Sequence, residues 1–425
     1  MKMCRSGLTR VLVFALFAWS SSFENCNAGE SYRGWNSAIF NVLDFGARGD
    51  GYADDTQAFV AAWAAACKVE ASMMVVPSGF VFLVGPLTFS GPHCAANIQF
   101  QLNGILIAPT SRKPWGSGLL QWIQFKKLKG ITVYGKGIID GQGSVWWGGK
   151  ATNANMPSTV PTALRFYGSQ HVTVSGITFK NSAQSHLKFD NCVSVQVFDI
   201  NISSPGDSPN TDGIHLQNSE DVVIYRANIA SGDDCISIQT GCSNVYIHNV
   251  NCGPGHGISI GALGEDRTKA CVSNITVQNV ILQNTTTGVR IKTWQGGSGS
   301  VQGILFSNIQ VSEVKIPIMI DQFYSPNAKS KLLKKASAVT VSGISYVNIQ
   351  GSYTVKPVHF ACSDNPPCTD VSLANIWLTP LEDNYNLQGP FCSQVYGTLR
   401  TRTTPPMDCL LTSKPPRINH NSCWP

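Results

Sequence analysis

Three short segments, Asp212-Gly-Ile-His-Leu216, Asp234-Cys-Ile-Ser-Ile238 and His256-Gly-Ile-Ser-Ile260, begin 22 residues apart and share one apolar register. An apolar-alternating segment that returns at a fixed period builds stacked supersecondary units, not one closed globular core. The residue heading each segment then falls in a column. That column reads Asp, Asp, His.

The repeat extends along most of the chain. One strand series runs Val172-Thr-Val174, Val195-Gln-Val197, Val222-Val-Ile224, Val245-Tyr-Ile247, Ile275-Thr-Val277 and Ile304-Leu-Phe306. A second runs His186-Leu-Lys-Phe189, Ile214-His-Leu216, Ile236-Ser-Ile238, Ile258-Ser-Ile260, Val289-Arg-Ile291 and Ile318-Met-Ile320. Val, Ile, Thr and Phe at alternate positions form strands, and the Asn, Gly and Ser between them form turns. A leucine-rich solenoid would need dense Leu at fixed spacing, and a propeller would need longer blades with Trp-Asp turns. Two strand series at this period predict an all-β parallel β-helix whose coils lie about 4.8 Å apart, the hydrogen-bonding distance between strands. A solenoid grows in one dimension, so 425 residues require only one domain.

One stretch is helical, Thr56-Gln-Ala-Phe-Val-Ala-Ala-Trp-Ala-Ala-Ala-Cys67, and Asp54-Asp55 before it are read as its cap. This helix is expected to cover the N-terminal end of the β-helix.

Lys2, Arg5 and Arg10 precede the apolar run Val11–Trp19, which is too short to span a bilayer; the order basic, apolar, small predicts a secretory signal peptide. Residues 1–28 are assigned to it, with a cut near Ser22 as the competing choice, and 29–425 to the β-helix domain with a disulfide-tied C-terminal tail. Removing Cys4 and Cys26 leaves 12 of 14 cysteines, an even number suited to an oxidising compartment. Cys362–Cys368 and Cys235–Cys252 are the expected bridges, and no Cys-x-x-Cys pair suggests zinc. Sequons at Asn201, Asn274 and Asn284 fit an exported glycoprotein, although Asn is also a common turn residue. The formal charge of +6 favours anionic partners mildly. No basic cluster interleaved with aromatics points to nucleic acid.

The chemistry gathers in Asn210-Thr-Asp-Gly-Ile-His215, Gly232-Asp-Asp-Cys235 and Gly255-His-Gly257. Asp212, Asp233 and Asp234 brought within a few ångströms repel one another, so at least one should hold its proton, as acid/base hydrolysis requires. Isolated aspartates more often cap turns or bind a structural cation; a stack of three with His256 favours a catalytic site. In Gly288-Val-Arg-Ile-Lys-Thr-Trp294, Arg290 shares the register of His215, Ser237 and Ser259, so Arg290 and Lys292 are expected to face solvent, where a carboxylated substrate would bridge them. Neutralising the aspartates is the plainer alternative. Tyr324, one coil later, is placed to stack on or hydrogen-bond a sugar, with packing as its plainer reading. His93, His171, His186, His248, His359 and His420 are assigned structural roles.

The set Asn-Thr-Asp (210–212), Gly-Asp-Asp (232–234), Gly-His-Gly (255–257) and Arg-Ile-Lys (290–292), in that order, resembles the polygalacturonases of glycoside hydrolase family 28. Asp44-Phe-Gly-Ala-Arg-Gly-Asp-Gly51 and Val76-Pro-Ser-Gly79 resemble the plant members, and the likeness covers roughly residues 38–410 with no departure in the four motifs. It implies a right-handed parallel β-helix with an N-terminal capping helix, acting in the cell wall on α-1,4-linked galacturonic acid of de-esterified pectin, with inversion and without a cofactor or metal. By motif, Asp233 is similar to the general acid, and Asp212 and Asp234 to the pair that activates water. His256 would hold the acid's protonation state, and Arg290, Lys292, Tyr324 and Asn210 would bind substrate. An endo-acting, extracellular monomer is expected, with exo action as the alternative. The rivals are a calcium-dependent pectate lyase and a non-catalytic polysaccharide-binding β-helix.

Overall fold

In a computed structural model, described for residues 38–148, 156–325, 338–381, 387–413 and Cys423, the alternating segments wind around one apolar core. Val172, Val195, Val222, Val245, Ile275 and Ile304 face one another in succession in parallel pairing. Leu187, Ile214, Ile236, Ile258, Val289 and Ile318 do the same in the second series. Both repeats therefore appear in the register the sequence predicts, and the fold is a right-handed parallel β-helix. One sheet holds 18 of the described strands and the other 11. Inside, Val and Ile columns are joined by an aromatic column in which the rings of Phe125, Phe166 and Phe189 stack at 5.2 Å steps.

The long strands each contain residues in the left-handed region, and one such position recurs as Asn. Asn249, Asn279, Asn308, Asn348 and Asn375 hold φ between 53° and 55° there, a conformation that Asn tolerates better than other side chains. Their amides form a ladder: Asn308 donates to Asn279 at 3.2 Å, Asn348 to Asn308 at 2.9 Å and Asn375 to Asn348 at 2.9 Å. The abundance of Asn at the breaks thus has a structural cause. Two sequon residues take part in similar pairs, Asn201 accepting from Asn228 at 2.9 Å and Asn274 donating to Asn244 at 2.7 Å, whereas Asn284 is exposed at its turn.

The helix Thr56–Ala66 packs on the first coils, with Phe59 on Phe82 (5.5 Å between centroids) and Trp63 on Phe89 (4.8 Å). The expected cap is only half right. Asp54 accepts from the Thr56 N–H at 3.0 Å, but Asp55 turns away from the helix and accepts from the Arg48 and Gly49 N–H groups at 2.7 and 3.1 Å. Those two turn amides have no other partner in the coil, so the buried carboxylate satisfies them.

Cys235–Cys252 and Cys362–Cys368 form as expected, joined by Cys67–Cys94, Cys392–Cys409 and Cys271–Cys423. The even count does not resolve entirely into bridges, because Cys192 and Cys242 remain buried thiols. They occupy equivalent positions two coils apart with Ser219 between them, and about twice 4.8 Å exceeds the Cα separation a disulfide spans. Burial pushes their thiols up to about 11 and about 12. The predicted signal peptide and His420 lie outside the described residues. No described helix is long and apolar enough to cross a membrane.

Candidate active site

The 22-residue period becomes geometry where Ile214, Ile236 and Ile258 pair in register, placing Asp212, Asp234 and His256 at equivalent positions two residues earlier. The loops carrying them are stitched by backbone bonds: Gly213 N–H to the Asp234 carbonyl (2.9 Å), Cys235 N–H to Gly257 (2.8 Å) and His256 N–H to Asp233 (2.8 Å). Such close stacking explains two motif glycines. A Cβ on Gly232 would sit 1.9 Å from the Ser208 carbonyl oxygen, and one on Gly257, at φ 84°, would sit 2.1 Å from that of Thr287.

Asp234 lies deepest, with 2% of its side chain exposed. Its Oδ1 accepts from Ser259 Oγ at 2.8 Å and Arg290 Nη2 at 2.7 Å, and its Oδ2 from Lys292 Nζ at 3.0 Å. The expectation that Arg290 and Lys292 face solvent is corrected here: they are 9% and 7% exposed. The alternation does send both outward from the core, Arg290 in the column of His215, Ser237 and Ser259 and Lys292 two residues further along the same strand. That outward face is the floor of a cleft, and a buried carboxylate without cationic partners would be prohibitively costly. The neutralising role is therefore real, and both cations still line the cleft.

Asp233 and Asp212 sit in contrasting surroundings. Asp233 Oδ1 meets His256 Nδ1 at 2.9 Å and accepts from the Asp234 N–H at 2.8 Å. Burial works to raise its pKa, but the hydrogen bond and charge of His256, with the Lys292 ammonium, outweigh it and hold Asp233 below the ordinary aspartate value. Asp212 is pushed up, by burial first and then by the charges of Asp234 and Asp233, against the pull of His215, whose Nδ1 lies 2.9 Å from Asp212 Oδ2. Beneath it, His186 spans the Asp212 carbonyl (Nδ1, 2.9 Å) and Ser204 Oγ (Nε2, 2.8 Å), and burial lowers its pKa to about 4, keeping the ring neutral at working pH. Its structural assignment holds, and what it braces is the Asp212 backbone.

All eight residues singled out in the sequence line one cleft of about 500 Å³. Tyr324 places its ring 5.2 Å from Lys292 Nζ and meets Trp294 edge-on at 5.6 Å, while Asn210, in the left-handed region at φ 54°, stands at the cleft edge. Sequence reasoning gave no role to His215, Gln239, Glu265 or Trp294, which line it too. His215 was legible, three residues after Asp212 and in the Arg290 column. Trp294, whose buried indole N–H has no partner among the described residues, was not. The outward column continues through Lys188 and Arg165, so the face carries cations on both sides of the aspartates; burial and the neighbouring Arg165 lower the Lys188 pKa.

Asp233, Asp234 and His256 bring possible metal-ligand atoms within 4.8 Å of one another. Both Asp234 oxygens already face cationic donors, so these residues fit a divalent ion poorly. What the cleft offers is a carboxyl biased toward protonation, another biased toward ionisation, and flanking cations. Such a pairing of carboxyls beside cations suits acid/base chemistry on an anionic ligand.

The sequence profile of "Glycosyl hydrolases family 28" matches residues 67–388. The chain is 42% identical over 346 residues to a polygalacturonase of Cryptomeria japonica, covering 80% of this chain and 67% of that one. It is 37% identical over 402 residues to a probable polygalacturonase of Arabidopsis thaliana, covering 92% and 90%. Among solved structures, the polygalacturonase of Erwinia carotovora ssp. carotovora superposes with a TM-score of 0.64 at 25% identity, covering 80% of this chain and 94% of that one. The chain belongs to glycoside hydrolase family 28.

Proposed function

We propose that this glycoside hydrolase is a secreted, monomeric, endo-acting polygalacturonase that cleaves α-1,4-galacturonosiduronic linkages of de-esterified pectin in the cell wall, with inversion. The carrying observation is the Asp212–Asp233–Asp234 cluster, with Arg290 and Lys292 in the same cleft. A polymer of carboxylated sugars matches a cleft lined by Arg290 and Lys292, with Lys188 further along the Arg290 column.

Asp233, at the cleft with His256, donates a proton to the glycosidic oxygen. Asp212 and Asp234 orient and deprotonate the attacking water on the opposite face of the ring, which the inverting route requires. Arg290 and Lys292 fix Asp234 and present their remaining donors to a substrate carboxylate, with Tyr324 and Asn210 beside the sugar.

One observation favours a second division of labour. In the free cleft Asp212 is the carboxyl raised and Asp233 the one lowered, which suits Asp212 as proton donor and Asp233–His256 as the base. His256→Ala separates the two. Because His256 lowers the Asp233 pKa, its loss lets that pKa rise: if Asp233 is the acid, the alkaline limb of activity moves to higher pH, and if it is the base, the acidic limb moves up instead.

NMR of the first products from polygalacturonic acid tests stereochemistry, β-anomers being expected. Chromatography of the same samples separates endo action (mixed oligomers) from exo action (monomer alone). Retention of the α-anomer would overturn the inverting assignment.

A further inference from the structure

A groove larger than the cleft lies elsewhere on the described residues. About 850 Å³ of space opens beside the recurring Asn position of the long strands, on the 18-stranded sheet, whereas the cleft residues His215, Ser237, Ser259 and Arg290 stand on the other. Its floor is a column in which Ile281, Gln310, Gln350 and Trp377 occupy the same outward position of four successive coils. Four equivalent positions span about 14 Å at the strand spacing, and the asparagine ladder forms the adjoining wall. At one end of the column Trp377 is 63% exposed. Arg402 stands beside it and, among the described residues, is the one charged side chain in the lining.

An extended row of amides ending in an open indole face and a guanidinium has the features that recognise a sugar chain: hydrogen-bond partners for hydroxyls, a ring for a sugar face to stack on, and a cation for a carboxylate. We propose that this groove is a second binding site for acidic polysaccharide, holding a stretch of the polymer away from the bond being cleaved. The inference rests on the polygalacturonase reading for its ligand. A chain held at two sites raises its own effective concentration at the cleft, so the groove should matter for long polymers and be irrelevant to oligomers too short to reach both.

The test compares polygalacturonic acid with trigalacturonic acid as substrates for the wild type, Trp377→Ala, Arg402→Ala and the double variant, none of which alters the cleft. A Tm within a degree or so of wild type is expected, since both side chains are exposed. On the polymer the double variant should raise KM roughly three- to ten-fold, the range of one stacking contact combined with one exposed charge contact, with kcat unchanged. Kinetics on the trimer should be unaltered, and Trp377→Phe should restore most of the loss. An active wild type whose variants behave normally on the polymer overturns the second site and leaves the polygalacturonase reading standing. Equal losses on both substrates also overturn it, because the effect would then lie in the cleft. A wild type that cleaves neither substrate overturns both readings.

Discussion

The chain contains two adjacent aspartate pairs, Asp54-Asp55 and Asp233-Asp234, and they have opposite fates. Asp54 and Asp55 are satisfied locally, by Thr56 and by the Arg48 and Gly49 amides, none more than seven residues away. Asp233 and Asp234 are held by side chains from later coils: His256, Ser259, Arg290 and Lys292, the last 58 residues on. An aspartate whose oxygens are filled by its own turn is part of the scaffold. One whose partners come from other coils belongs to a constellation that only the folded solenoid assembles, and its environment can be tuned for chemistry.

The sharpest way to break this comparison is to neutralise one member of each pair. Asp233→Asn should fold with an unaltered Tm and lose about 10²–10⁴ in kcat, the contribution of a positioned proton-transfer group; reducing-end release from polygalacturonic acid measures it. A folded, active Asp233→Asn protein would return that pair to the scaffold. Lys292→Ala comes next. Because Lys292 is buried against Asp234, removing it leaves a catalytic carboxylate with one partner fewer, so kcat should fall together with a rise in KM, for a loss of roughly a hundred-fold in kcat/KM. A rise in KM alone would mean that Lys292 serves the substrate and not Asp234.

The pH profile offers a smaller, directional effect. Activity should be bell-shaped on the acidic side of neutral, since one carboxyl must be protonated and another ionised. His215 lowers the Asp212 pKa, so His215→Ala should let it rise further; with Asp212 in the basic role, the acidic limb moves to higher pH. An alkaline limb that moves instead would assign Asp212 as the acid. The smallest effect is expected at the other pair: Asp55→Asn should leave kcat and KM unchanged and cost about 1–3 kcal/mol in denaturant unfolding, the range for weakening charge-assisted bonds to the Arg48 and Gly49 amides.

The fold was legible because its signal is periodic. Val, Ile and Asp recurring at 22 residues fix both the register and the column of site residues, and parallel pairing converts sequence spacing into contact. Asp212, Asp234, His256 and Arg290 were legible for the same reason. What the sequence could not carry was solvent exposure. Alternation says that Arg290 and Lys292 leave the core, but not that the surface they reach is the enclosed floor of a cleft in which Asp234 already waits. Nor did an even cysteine count reveal that Cys192 and Cys242 stand two coils apart. The Asp55 side chain was misread because capping was inferred from its position before a helix, while its partners were decided by the turn at Arg48 and Gly49. The opposite biases of Asp212 and Asp233 depend on burial and on which imidazole each meets, and neither is written in the spacing.

We propose that the stacked Asp-Asp-His column is a metal-independent acid/base site for polygalacturonan. The most direct measurement is product formation from polygalacturonic acid at mildly acidic pH in chelator, following reducing ends and unsaturated products together for the wild type and Asp233→Asn. Reducing ends without unsaturation are expected from the wild type and almost none from Asp233→Asn. Unsaturated products, or release that requires added calcium and alkaline pH, would contradict it.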